Sequence, residues 1–100
     1  MPEQESWGES EQRGAVLRIA DEFIADLAEV HSQKALARIY HQVRLLERFP
    51  EMGSPDVRPV LVRRYGAGLR QLVVAPYVIV YQYGGGYVDV LALVYGPAVK

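Results

Sequence analysis

The residues best equipped for chemistry are the arginines between positions 34 and 70. Lys34, Arg38, Arg44, Arg48, Arg58, Arg63, Arg64 and Arg70 stand there against Glu47, Glu51 and Asp56. Residues 1–30 show the opposite balance, eight acids against Arg13 and Arg18, so the net charge of −1 hides two opposed regions. A guanidinium is always charged and its fork fits phosphate oxygens, so a basic region built almost wholly from arginine favours phosphate recognition. The plainer alternative is a solvated helix face with ordinary surface charge. Arg70 is the single charge in a β-rich run. It either meets a phosphate or pairs with an acid and lays its stem over the sheet edge. Arg63 and Arg64 are adjacent and, in a strand, would point to opposite faces, leaving one to share a groove with Arg70. Their structural alternative is edge charge that discourages strand addition. Arg58 belongs to the same phosphate-binding set.

Other chemistries are poorly supplied. The chain has no cysteine, which excludes disulfides and thiolate metal sites and suits a reducing cytoplasm, the expected location. His31 and His41 lie ten apart with no acidic cluster beside them, so neither a metal nor a cofactor is expected. No apolar run approaches the roughly 20 residues that span a bilayer. The start of the chain lacks a basic-then-apolar pattern, so it does not read as a signal peptide. One hundred residues make one domain with a modest core. We expect residues 1–13 to form a flexible acidic tail, with Trp7 in it, and residues 14–100 to form the domain.

The elements that must position these side chains centre on Leu69 to Tyr95. Val, Ile, Leu and Tyr fill this stretch, which Ala75-Pro76 and Gly84-Gly85-Gly86 break into three runs, the pattern of an antiparallel meander. Alternation puts Arg70, Leu72 and Val74 on one face of the first run and Leu69, Gln71 and Val73 on the other. The second run sets Tyr77, Ile79, Tyr81 and Tyr83 against Val78, Val80 and Gln82. The third sets Tyr87, Asp89, Leu91, Leu93 and Tyr95 against Val88, Val90, Ala92 and Val94. Both faces are largely apolar, which calls for a cover on each and suggests a partner on one.

Upstream, Val16, Ala20, Phe23, Leu27 and Val30 make a helical stripe, yet Ala15 to Ile19 reads equally well as a short strand ahead of a helix capped by Asp21. Ser32 offers an N-cap for a second helix running to about Phe49, with Leu36, Ile39, Val43 and Leu46 buried and Tyr40 at the margin. Pro50 stops it. The two helices are expected to form a hairpin against the sheet. Pro50 to Asp56 is a loop, and Val60 to Tyr65 reads as a short strand with Pro59 at its first position.

A helix ending LLERFPEMG, a basic segment, GLRQLVVAPYVIVYQ and then VDVLALVYG together resemble the RelE/ParE superfamily of toxins from type II toxin–antitoxin systems. The likeness covers roughly Ile19 to Gly96. It implies an α+β fold: a short N-terminal strand within residues 14–19, a two-helix hairpin, and an antiparallel sheet of three to four further strands. It also implies a cognate antitoxin as partner, and either cleavage of mRNA on the ribosome or inhibition of DNA gyrase, with a homodimer as a further option and no membrane partner. Cleavage through a 2′-hydroxyl needs a base, an acid and cations around the phosphorane. By the same resemblance Arg70 would face the scissile phosphate, Tyr95 would be the acid and Glu51 the general base, with Tyr81 a weaker alternative to Tyr95. The chain departs from the nuclease pattern in ending without a histidine or an arginine-rich tail, and no general base is evident. Endoribonuclease action on mRNA is the leading expectation; a gyrase inhibitor or an inactive antitoxin-binding module is the rival.

Overall fold

A computed structural model describes residues 14–98. Among the described residues the first element is strand β1 (Val16–Ile19), followed by helices α1 (Asp21–Leu27), α2 (Gln33–Leu45) and α3 (Pro59–Tyr65). Strands β2 (Leu69–Val74), β3 (Tyr77–Gly84) and β4 (Tyr87–Tyr95) follow, with a 3-10 turn at Gly96–Ala98. The strands form one sheet in the order β1-β4-β3-β2. The meander is antiparallel as expected, but β1 pairs parallel with β4, so the sheet is mixed. A parallel partner demands a long crossover, and α1, α2, α3, β2 and β3 supply it. Among the described residues no helix is long and apolar enough to cross a membrane.

The turns follow from residue type. Gly85 and Gly86 are the only residues between β3 and β4, and both have positive φ (60° and 84°), as a tight hairpin with the right twist requires. The β2–β3 turn carries a cis Ala75–Pro76 bond. Ser32 caps α2, its hydroxyl accepting from the Ala35 N–H at 3.1 Å. α2 ends four residues earlier than the Phe49 expected, its last turns loosening before Pro50.

Two cores form, one on each face of the sheet. Phe23, Ile39, Val43 and Leu46 of α1, α2 and the turn after it pack on Val74, Ile79, Tyr81, Val88, Val90 and Leu93. On the other face Leu61 of α3 packs on Leu69, Val80 and Ala92. The expected alternation holds in β2 and β3. In β4 it fails, because the register shifts between Val80 and Tyr81, so that Val80 pairs with Ala92 and Tyr81 with Val90. Leu91 is the extra residue of this bulge, which lets Val88, Val90 and Leu93 all face the helices.

The strand expected at Val60–Tyr65 is the helix α3. Pro59 sits at its first position, where a missing N–H costs nothing and the fixed φ suits a helix. Arg63 and Arg64 are therefore neighbours on a helix and do not alternate across a strand. The acidic segment 1–13 and Trp7 lie outside the described residues.

Candidate functional site

Arg70 and the loop that carries Glu51 meet at one end of the sheet. Arg70 pairs with Tyr81 in the β2–β3 register, which sets its side chain on the face covered by α1 and α2. From there its Nη1 donates to the Gly53 carbonyl at 2.7 Å and to the Glu51 carbonyl at 3.2 Å. Tyr81, fully buried, joins it: its hydroxyl donates to the Pro50 carbonyl at 2.8 Å and accepts from the Gly53 N–H at 2.9 Å. The loop from Pro50 to Gly53 is thus clamped by two side chains from the sheet beneath it. A Cβ on Gly53 would stand 2.6 Å from the Tyr81 hydroxyl and 2.9 Å from the Gln71 carbonyl, so only glycine allows this approach. Beyond the loop, Ser54 and Gln71 exchange backbone hydrogen bonds at 2.8 and 2.9 Å. Burial pushes the Tyr81 phenol up from its ordinary value, although the Gly53 N–H and Arg70 pull the other way. A phenol so placed holds its proton at neutral pH.

Arg58, Arg63, Arg64 and Tyr95 lie elsewhere, and of these Arg64 and Tyr95 share a groove. Tyr95 is opposite Tyr77 and packs edge-on against its ring at 6.0 Å between centroids. Arg70 is four register rows away, roughly 13 Å along the strands and two strands across. Arg64 and Tyr95 line one groove of about 360 Å³, with Glu22, Asp26 and Tyr65 among its other walls. Arg58 precedes α3 and donates to the Gly96 carbonyl at 3.3 Å. Arg63 is exposed on α3.

Glu22 is the acid that the sequence did not single out. Its carboxylate accepts from the Tyr65 hydroxyl at 2.5 Å and lies 3.4 Å from Arg64, joining α1 to α3 around the edge of β4. Burial and the Glu22 carboxylate push the Tyr65 phenol up to about 12. Asp26 also serves the fold, its carboxylate accepting the Leu93 N–H at 2.9 Å where β4 runs beyond β1. The six candidate residues therefore fall into two groups. Arg70 and Glu51 belong to the clamped loop; Arg58, Arg63, Arg64 and Tyr95 lie on or near α3 and the end of β4, where Arg64 and Tyr95 line a groove whose Glu22 carboxylate already holds Tyr65 and Arg64.

A third feature is apolar. Ile19, Phe23, Ile24, Leu27, Leu36 and Tyr40, with further α2 residues, line a cleft of about 500 Å³ between the helices. Ile24 and Tyr40 are 55% and 65% exposed, unusually open for large apolar side chains. Their signal in the sequence was that both fall off the buried stripes of their helices. The chain's own helices cover much of both sheet faces, although Val73, Tyr83, Tyr87 and Tyr95 remain exposed, and a further apolar surface lies open between α1 and α2.

Comparison with known proteins completes the picture. A family model described as the ParE toxin of the type II toxin–antitoxin system parDE matches residues 17–96. Among solved structures, the chain is similar to one in the toxin–antitoxin complex RelBE2 from Mycobacterium tuberculosis, with 20% identity and a TM-score of 0.67, over 83% of this chain and 99% of that one. It is also similar to one in the chromosomal ParDE system from P. aeruginosa, with 20% identity and a TM-score of 0.60, over 79% and 92% of the two chains. No curated protein sequence matches it. At such identities the structural likeness speaks for the fold.

Proposed function

The chain belongs to the ParE toxin family of type II toxin–antitoxin systems, and from that premise we propose that it disables its target by binding and not by cutting. Of the two targets that the resemblance implies, mRNA on the ribosome and DNA gyrase, this reading favours gyrase. One observation carries the reading: Arg70, the residue expected at the scissile phosphate, directs its guanidinium onto the Gly53 and Glu51 carbonyls. It also stands on the opposite face of the sheet from the core beneath α3, the helix that carries Arg63 and Arg64. A nuclease needs its phosphate cation, acid and base within hydrogen-bond reach of one phosphodiester. Arg70 and Tyr95 are too far apart to share one, and Glu51 contributes a backbone carbonyl to the clamp. The groove holding Arg64 and Tyr95 is the feature most favourable to cleavage.

A cognate antitoxin is the partner that silences it. The cleft between α1 and α2 offers the contiguous apolar surface that an amphipathic antitoxin segment would cover. The test of mechanism uses the purified full chain in a gyrase supercoiling assay, beside mapping of mRNA 5′ ends after induction. We expect lost supercoiling and no codon-linked ends. Codon-linked cuts with supercoiling intact would establish the mRNA-cleaving reading in its place.

A further inference from the structure

We propose that the exposed ridge of α2 binds the phosphate backbone of duplex DNA, a property beyond the toxin reading and independent of whether gyrase is the target. Lys34, Arg38, His41 and Arg44 occupy about 120° of the helix circumference at the 100° that each residue turns. Arg48 extends the row into the turn that follows. All five are exposed. Lys34 to Arg44 spans roughly 15 Å of helix axis, a straight and rigid line.

Glu47 is the one acid from residue 30 to residue 50, and it pairs with Arg44 at 3.1 Å. Arg38 donates to the Ala75 carbonyl at 2.6 Å, which holds its guanidinium beside the open edge of β2 without neutralising it. Arg48 stands 5.9 Å from the Phe49 ring. Between the ridge and that edge runs an open groove of about 410 Å³, with Ala37, His41, Gln42 and Val73 in its walls. On a chain of net charge −1 the α2 ridge is thus a concentrated positive line.

The occupant follows from charge and from what the ridge lacks. An acidic protein segment would need large apolar anchors among the cations; the ridge itself interposes Ala37 and the half-buried Leu45, and the exposed apolar side chains nearest it, Val73 and Phe49, stand at its margins. A single strand would need a row of aromatic platforms for its bases; Tyr40 lines the apolar cleft, which leaves Phe49 alone at the end of the ridge. A duplex backbone needs neither. It asks for guanidinium and ammonium groups at spacings of a few ångströms, released counterions providing the drive.

Anisotropy of a short labelled duplex of arbitrary sequence, titrated with the full chain over a range of salt, tests this. Three to four phosphate contacts predict that log K falls with log salt at a slope of about −2.7 to −3.6. The double variant Lys34→Gln/Arg48→Gln should lower that slope by about 2 while its melting temperature matches the parent. Lys34→Arg/Arg48→Lys should restore it. A slope near zero, a slope unchanged in the glutamine variant, tighter binding of single-stranded DNA, or equal competition by polyglutamate would each overturn the proposal.

Discussion

Tyr81 shows how a side chain that reads as an acid–base candidate is used by the fold. Its hydroxyl closes two hydrogen bonds to a loop separated from it by about 30 residues, and Arg70 adds two more. Replacing Tyr81 with Phe keeps the ring in the core but leaves the Gly53 N–H and the Pro50 carbonyl without this partner. A buried polar group so orphaned costs about 1–3 kcal/mol. Urea unfolding should report a loss in that range with an unchanged m-value, and amide exchange in Glu51 to Gly53 should quicken before any other segment responds. A stability equal to the parent's would mean that the clamp does not hold the loop. None of this was legible beforehand. That Arg70 was the one charge in its run was plain from the sequence; its partners were not, because backbone carbonyls brought in by a distant loop leave no mark in local residue order.

At the scale of elements, the contact between α1 and α3 has a pH signature. Tyr65 is pushed up to about 12 by burial and by Glu22, whereas an unfolded tyrosine ionises near 10. The folded state therefore holds this proton more tightly than the unfolded state does. The stability it contributes is complete below about pH 10 and is lost as pH rises through about 12. Denaturation of the parent and of Tyr65→Phe should show a gap that is constant from neutral pH to about 10 and shrinks between about 10 and 12. A gap unchanged across that window would show that Tyr65 ionises as it would in an unfolded chain. The same helix marks where sequence reading failed. Val60 to Tyr65 is apolar and β-branched enough to pass for a strand, and Pro59 suits the start of either element. What decides between them is the core: as a helix it buries Leu61 over Leu69, Val80 and Ala92. β1 is the converse, a stretch with a fair helical stripe that becomes a strand because β4 has a free edge to pair with. The meander itself was readable, since its breakers and alternation are local; the bulge at Leu91 was not, because it arises from fitting two strands together.

For the molecule as a whole, the decisive asymmetry is which surfaces the chain covers for itself. α1 and α2 close one face of the sheet and α3 the other, yet the cleft between α1 and α2 stays open, with Ile24 and Tyr40 at its mouth. Apolar groups of this size exposed together favour association, and large aromatic side chains dominate the energy of such contacts. An antitoxin seated there would bury them, while the free toxin gains nothing from their presence. Ile24→Asp and Tyr40→Glu should therefore separate two properties. Both variants should unfold at the parent temperature or slightly above it, since neither site is in the core, and both should arrest growth as before. Affinity for the cognate antitoxin, measured by calorimetry with the purified pair, should fall by at least about tenfold, equivalent to about 1.4 kcal/mol. Co-expressed antitoxin should then fail to restore growth. If the antitoxin binds both variants as tightly as the parent, the covering surface lies elsewhere, and the open edge of β2 becomes the place to look, since an extended segment could pair there beyond Gln71.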